Sequence, residues 1–288
     1  AQINTLFDEF TPHDEKNHIQ SLLRLTDELL GTDLLERLNP VEQFILACAL
    51  YGHDWGMAVS RHERDHIASL AASGSPSNKP LLTDEGFRFR GFCDGRKLSP
   101  IEGADPNIFR DYARQTHAER SRARVESFFK EGNRRLGEMI GIVCEAHAYD
   151  IRHVAELPTA ESVAGEMVNV AAVALYMRLI DLFDIGHNRT PYKLWKYIAP
   201  QHPFSAMEWK KHEALSPTTV RTETGGARVI CVHGSTDEYR VEASLQDMKQ
   251  EWTSQFEGNR ALLNDLSARY NPQLQRLEWK VEAIGFIP

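Results

Sequence analysis

One apolar helix constrains the fold more than any other feature of the sequence. The motif Asn-Pro-Val-Glu at residues 39–42 combines an N-cap residue, a proline at the first helical position and a glutamate that closes a capping box. The apolar run that follows ends directly on His53 and Asp54. It predicts a helix from Pro40 to about Met57, which places an imidazole and a carboxylate at the edge of the core. Because unpaired polar groups are costly there, we expect other residues to converge on this pair.

Four further polar side chains interrupt apolar helical patterns in the same way, each in a different predicted helix: His18, His117, His147 and Asp181. Each alone has an ordinary explanation, such as an imidazole bonded to a backbone carbonyl, or Asp181 paired with Arg178 one turn away. Together they place polar groups from five helices at apolar interfaces. Imidazole and carboxylate are ligands of zinc, iron, manganese and related cations. Facing helices of a bundle can direct such ligands into one pocket.

The rest of the first two-thirds is predicted to be helical with one interruption. Apolar residues at helical spacing predict helices near residues 13–30, 106–131, 133–149 and 164–185. Residues 75–100 are rich in Gly, Pro and Ser and break this periodicity. They favour an inserted loop with a short hairpin at residues 87–92.

Beyond the prolines at 191–203 the pattern changes. It predicts a short helix, two strands around a Gly-Gly turn, a long amphipathic helix and a final strand, at residues 204–215, 218–234, 241–266 and 274–286. The fold class is therefore mainly α, a helical bundle with a small C-terminal α+β appendage. We expect the bundle to span residues 1–195 and the appendage residues 196–288, leading into a further domain that is not part of this sequence.

Composition narrows the class of protein. An apolar fraction of 42% is sufficient for a folded core, and a formal charge of −8 argues against nucleic acid or an anionic membrane as the main partner. The four cysteines are widely separated, which indicates free thiols in a reducing compartment. No apolar run approaches membrane-spanning length and no signal peptide is evident, so we expect a cytoplasmic protein.

The order of His18, the His53-Asp54 pair and Asp181 resembles the HD-domain superfamily of metal-dependent phosphohydrolases. The resemblance covers residues 6–190 and includes three stretches: FTPHDEKNHIQSLL, ACALYGHDWGM and LYMRLIDLFDIGHNRTP. It implies a helical bundle with a buried divalent metal ion held by these four residues. His117 and His147 fall where dinuclear members carry additional histidines, which implies a second ion. The metal could be Mn, Fe, Zn or Mg.

A fainter resemblance, in HAERS and MEWKKHEAL, is to bacterial HD domains that precede a GHKL-type ATPase domain. It implies an attached ATPase domain and a role in signalling or defence. The substrate expected from the HD resemblance is a phosphorylated small molecule, a nucleotide or cyclic nucleotide, which a metal-activated water would hydrolyse.

Arginine is the residue best suited to bind phosphate oxygens. Arg120 and Arg124 follow His117 on one helical face, a turn apart, without an acidic residue between them in sequence. Since like charges at this spacing repel, we expect an anion between them and predict that Arg120 faces the metal cleft. The predicted catalytic residues are Asp54, His117 and Arg120. The predicted substrate-binding residues are Arg120, Arg124, Arg178, Arg189 and Lys16.

Two other functions remain open. One is a regulatory module that senses a nucleotide and transmits its bound state to an attached domain. The other is a single-strand nuclease, against which the acidic balance and the absence of an aromatic-basic stripe argue. The complete ligand set favours the enzyme.

Overall fold

A computed structural model describes residues 18–73, 80–190, 196, 198–224, 226–270 and 279–287, of which 80–84 and 279–287 are described by their backbone alone. The helices are α1 (Gln20–Leu35), α2 (Pro40–Gly52), α3 (Arg61–Ser73), α4 (Pro80–Gly95), α5 (Pro100–Gly103), α6 (Pro106–Phe129), α7 (Arg134–Ala146), α8 (Ile151–Ala155), α9 (Val170–Leu182), α10 (Pro203–Ala214) and α11 (Tyr239–Arg269). The strands are β1 (Glu161–Val163), β2 (Glu166–Val168), β3 (Thr219–Thr222), β4 (Arg228–Ser235) and β5 (Trp279–Ile287). The predicted fold class, mainly α with a small α+β appendage, is confirmed.

Helix α2 begins as its sequence predicts and ends earlier. The Asn39 side chain accepts hydrogen bonds from the second and third helical amides, and Glu42 accepts one from the Asn39 amide, which completes the capping box. The helix ends at Gly52, and a separate 3-10 turn follows at Trp55–Met57. Asp54 thus lies in the link between the two, with non-helical backbone angles.

The predicted loop is wrong over residues 80–95 and the predicted hairpin is wrong, while residues 75–79 lie outside the described residues. Much of this stretch is helical, in α4, and the hairpin residues 87–92 lie inside that helix. Phe89 and Cys93, one turn apart, are fully buried against Phe109 and Tyr112 of α6 in a second small core. The tertiary packing of these two side chains therefore outweighs the low helix propensity of the glycines in this segment.

Helix α9 is the central element of the bundle. Its residues from Val170 to Ile180 are all buried, and it packs against α1, α2, α7 and α11. The segment predicted as helix from residue 164 instead contains strand β2, and Asn169 caps α9 at its actual start.

The C-terminal part is the expected α+β unit. Its sheet has the order β3-β4-β5, with β3 antiparallel and β5 parallel to β4, and α11 connects β4 to β5. Its side chains Val232 and Phe256 belong to the same main core as α9. In the part of the chain that is described, no helix has the length and hydropathy needed to cross a bilayer.

Candidate metal centre

The structure brings the six predicted metal ligands together in two adjacent groups. His18, His53 and Asp181 form the first group, with their ligand atoms all within 4.8 Å of one another. The second group meets the same criterion and consists of Asp54, His117 and His147. Helices α6 and α9 supply His117 and Asp181, His53 and Asp54 follow α2, His147 follows α7, and His18 precedes α1.

Asp54 lies between the two groups. Its Oδ2 atom is 3.2 Å from His53 Nε2 and 3.5 Å from His18 Nε2. Its Oδ1 atom is 3.5 Å from His117 Nε2. One carboxylate can therefore contribute an oxygen to each group, as bridging carboxylates do in two-metal sites.

The four imidazoles all direct their Nε2 atom into the cluster. His117 Nδ1 is 2.6 Å from the Arg114 carbonyl oxygen, and His147 Nδ1 is 2.5 Å from the Cys144 carbonyl oxygen. A carbonyl only accepts hydrogen bonds, so each Nδ1 carries the proton and each neutral ring has its lone pair on Nε2. The two Nε2 atoms are 2.8 Å apart. Their lone pairs repel, and a cation bound by both would replace that repulsion with two bonds.

The first group repeats this arrangement. His18 Nδ1 donates to Asp184 Oδ2 at 2.6 Å, and His53 Nδ1 lies 3.2 Å from the Leu50 carbonyl oxygen. The Nε2 atoms of the two rings are 3.2 Å apart, and Asp181 Oδ1 is 3.4 Å from His53 Nε2. Ligands about 2.1 Å from one cation are separated by about 3.0 Å along an octahedral edge and about 3.4 Å along a tetrahedral edge. The donor set therefore fits divalent cations.

Burial and neighbouring charges shift the proton equilibria of the cluster. Burial, reinforced by His117 and His53, lowers the pKa of His147 to about 4, so this ring is a neutral ligand at physiological pH. Burial also disfavours protonation of His53, but Asp54 and Asp181 outweigh it and hold the pKa of His53 well above its ordinary value. Burial raises the pKa of Asp181, whereas His53 and His147 more than offset this and keep it well below its usual range.

Comparison with known proteins agrees with this geometry. The model of the HD-CE family matches residues 7–269. The chain belongs to the HD-CE family. The match extends beyond the resemblance at residues 6–190 and includes most of the α+β unit. No curated protein and no solved structure matches the chain.

One residue beside the candidate metal centre was missed by the sequence reasoning. Asp184 is buried, accepts the His18 Nδ1 proton, and is also paired with Arg189 Nη1 at 2.5 Å. Burial opposes its ionisation, but Arg189 and His18 lower its pKa to about 2. A carboxylate on the far nitrogen of a ligating histidine orients the ring and increases its basicity. The available signal was its spacing, three residues after Asp181.

Arg120 does not face the metal cleft, so that prediction is wrong. Its side chain is 1% exposed, and its guanidinium binds Glu85, Glu63 at 2.9 Å and the Gly56 carbonyl at 2.9 Å. The expected anion between Arg120 and Arg124 does exist, but it is Glu63, whose Oε1 also accepts from Arg124 Nη2 at 2.6 Å. Helices far away in sequence supply the acidic partners, which is why spacing within α6 could not identify them.

Helix α6 instead holds the turn that follows Asp54. Arg124 binds the Trp55 carbonyl, and Arg120 binds that of Gly56. Ser121 Oγ accepts the Gly56 amide proton at 2.7 Å. A Cβ atom at Gly56 would lie 1.9 Å from the carbonyl oxygen of His117, so only glycine fits this close approach. The helix that carries His117 therefore also positions Asp54.

The other predicted phosphate-binding residues have protein partners as well. Arg178 donates to the carbonyls of Ala146 and His147 at the end of α7 and to Asn259. Arg189 is the partner of Asp184. Lys16 lies outside the described residues. These arginines position backbone and carboxylates around the cluster, and their part in substrate binding stays a prediction.

Proposed function

We propose that this HD-CE protein is a metal-dependent phosphohydrolase that binds two divalent cations. The observation that carries the proposal is the convergence of four histidines and two aspartates on one cluster, with each imidazole ring oriented by a hydrogen bond at Nδ1. Each Nε2 atom is directed inward because each Nδ1 lies against an acceptor oxygen, and a bound cation would take the place of the proton that Asp54 and Asp181 favour on His53. Such sites, with positions left open for water and substrate, suit hydrolysis of phosphoesters.

The aspartates of the cluster would act mainly by positioning the metal ions and the histidines that bind them. Bound divalent cations would polarise a phosphoryl oxygen and acidify a water molecule. Asp54 would hold both metal positions through its two oxygens, and Asp184 would keep His18 in the required tautomer. Asp181, whose side chain is 29% exposed, can also contact an incoming water. The oxygen of water forms a bond to phosphorus while the bond to the leaving alcohol breaks, and that alcohol takes up a proton.

The competing proposal is a regulatory module that binds a nucleotide without hydrolysing it. Measured phosphate release distinguishes this module from an enzyme. The earlier expectation of a nucleotide substrate stays a prediction, as does an attached ATPase domain. A nuclease has no specific support from the described site.

The test combines metal content with phosphate release. The protein is stripped with a chelator, reconstituted separately with Mn²⁺, Zn²⁺, Fe²⁺ and Mg²⁺, and assayed against a panel of phosphomonoesters, phosphodiesters and nucleotides. Bound metal is measured by mass spectrometry. We expect two ions per chain and phosphate release with at least one metal. Asp54→Asn, which keeps the shape of the side chain and removes its charge, should abolish both.

Glu145→Gln is the matched control. Glu145 lies on α7 two residues before His147 and is bound to Arg122, outside both groups. This variant should retain its metal and its activity. Metal binding by the parent protein without turnover of any phosphoester would favour the regulatory module. Full activity of Asp54→Asn would contradict the proposal.

A further inference from the structure

A cavity of about 590 Å³ lies beside the candidate metal centre. His18, His53 and Asp54 are part of its lining, so the cavity and the metal centre share three residues. Its volume is in the range of pockets that bind small organic molecules. A molecule in this cavity would be in direct contact with any group bound at the metal centre.

The remaining wall is mainly apolar. On α2 the lining residues follow the spacing i, i+3, i+4 and i+7, which places them on one helical face: Phe44, Ala47, Cys48 and Tyr51. Helices α6 and α7 contribute aliphatic and aromatic side chains, among them Val125 and Ile140. A wall of this composition favours an apolar ligand, because apolar surface gains free energy when it leaves water.

Several of these side chains are left in contact with water. Phe44 is 47% exposed, Tyr51 is 59% exposed and Phe128 is 71% exposed. Phe128 also packs edge-on against Trp55, which lines the same cavity. Exposed aromatic rings grouped around a cavity are typical of a surface that another molecule covers.

In the described part of the wall, the charged side chains belong to the metal centre. Among the described residues that line the cavity, His18, His53 and Asp54 are the ionisable ones apart from Cys48 and Tyr51, and no lysine or arginine is among them. The hydrogen-bonding edge of a nucleobase would therefore meet mainly apolar atoms, which carries a desolvation penalty. Among the described lining residues, a polyphosphate would find no cation for the phosphoryl groups that lie away from the metal centre.

We propose that the substrate is a phosphomonoester of an apolar alcohol, with its phosphoryl group at the metal centre and its alkyl or aryl group in this cavity. This inference rests on the proposed phosphohydrolase function. Water adds to phosphorus, the ester bond to the alcohol oxygen breaks, and the products are inorganic phosphate and the free alcohol. Ala47, which is exposed on α2 and lines the cavity, offers a position at which the cavity can be blocked.

The first experiment measures kcat/KM for ethyl, butyl and hexyl phosphate and for AMP. All four release a primary alcohol, so their intrinsic reactivities are similar. Each buried methylene contributes a factor of about four, so the four additional methylenes of hexyl phosphate give at most a factor of about two hundred. We expect hexyl phosphate to exceed both ethyl phosphate and AMP by at least about tenfold. An advantage of less than about threefold over ethyl phosphate, or a preference for AMP, overturns the proposal.

A variant and a control locate the effect. Ala47→Phe should remove the chain-length dependence, so that ethyl and hexyl phosphate are hydrolysed with similar kcat/KM. Ala243→Phe introduces the same ring at an exposed position of α11 that does not line the cavity, and should behave as the parent protein. A chain-length dependence that survives Ala47→Phe would show that the apolar group binds elsewhere and would contradict the inference.

Calorimetric binding of hexylphosphonate and ethylphosphonate, which are not hydrolysed, separates the two proposals. Tighter binding of hexylphosphonate by at least about tenfold, abolished by Ala47→Phe, supports the cavity even if no ester is hydrolysed, in which case only the proposed function fails. Equal affinities in a protein that hydrolyses ethyl phosphate leave the function intact and overturn the inference. The cavity would then receive another ligand, such as a segment of a protein partner.

Discussion

Arg120→Ala distinguishes a positioning residue from a substrate-binding residue. The Arg120 side chain is 1% exposed and binds the carboxylates of Glu63 and Glu85 and the carbonyl of Gly56. Removing one partner of a buried ion pair costs about 3–5 kcal/mol, because it leaves a charge unpaired in a poorly hydrated position. Glu63 is 29% exposed and keeps Arg124 as a partner. We therefore expect the lower end, a loss of about 3 kcal/mol in the free energy of unfolding.

The assay is equilibrium unfolding in urea of the metal-free protein, with the m-value checked for constancy. Arg88→Ala is the matched control, since Arg88 is 32% exposed and paired with Glu119 on the surface. Its loss should be at most about 1 kcal/mol. If Arg120→Ala changes stability no more than the control and instead raises KM alone, Arg120 binds substrate and the positioning account is refuted.

Three further predictions test the construction of the site. Gly56→Ala should lower the free energy of unfolding by about 3 kcal/mol, because the new Cβ atom would overlap the His117 carbonyl. Gly91→Ala is the control in the same urea titration. It should be neutral or slightly stabilising, because no atom lies within 4 Å of the position of its Cβ. Asp184→Asn should weaken metal affinity by about 10–100-fold in a competition titration with a chelating dye, and unchanged affinity would exclude its proposed part in orienting His18. Adding the metal that supports turnover to stripped protein, at about one hundred times its Kd, should stabilise the fold by about 2.7 kcal/mol for each ion bound, and an unchanged unfolding midpoint would show that the cluster holds no metal in the native state.

The six clustered side chains could be found from sequence because each interrupts an apolar helical stripe. A buried polar group requires a partner, even when that partner is distant in the sequence. His18 and Asp181 could therefore each be recognised as candidate ligands from their own apolar surroundings, although they are far apart in the chain. Asp184 carried only its spacing, three residues after Asp181, because it follows the end of α9 and its two partners are known only from the folded geometry.

Helix α4, in contrast, could not be predicted from the sequence. Its composition favours a loop. The helix is stabilised by the packing of Phe89 and Cys93 against α6, a long-range contact that local helix propensity does not report. The same long-range packing brings Glu63 and Glu85 to Arg120. Intrahelical spacing correctly indicated that two arginines a turn apart need an anion, but it could not say that a protein carboxylate supplies it.

The most direct test of the central claim is an anomalous difference map from crystals of the protein reconstituted with the metal that supports turnover. The account predicts two peaks about 3.5–4 Å apart, one bound by His18, His53 and Asp181 and the other by His117 and His147, with Asp54 between them. A map without peaks among these side chains, with His117 and His147 instead sharing a proton across their 2.8 Å contact, would contradict it.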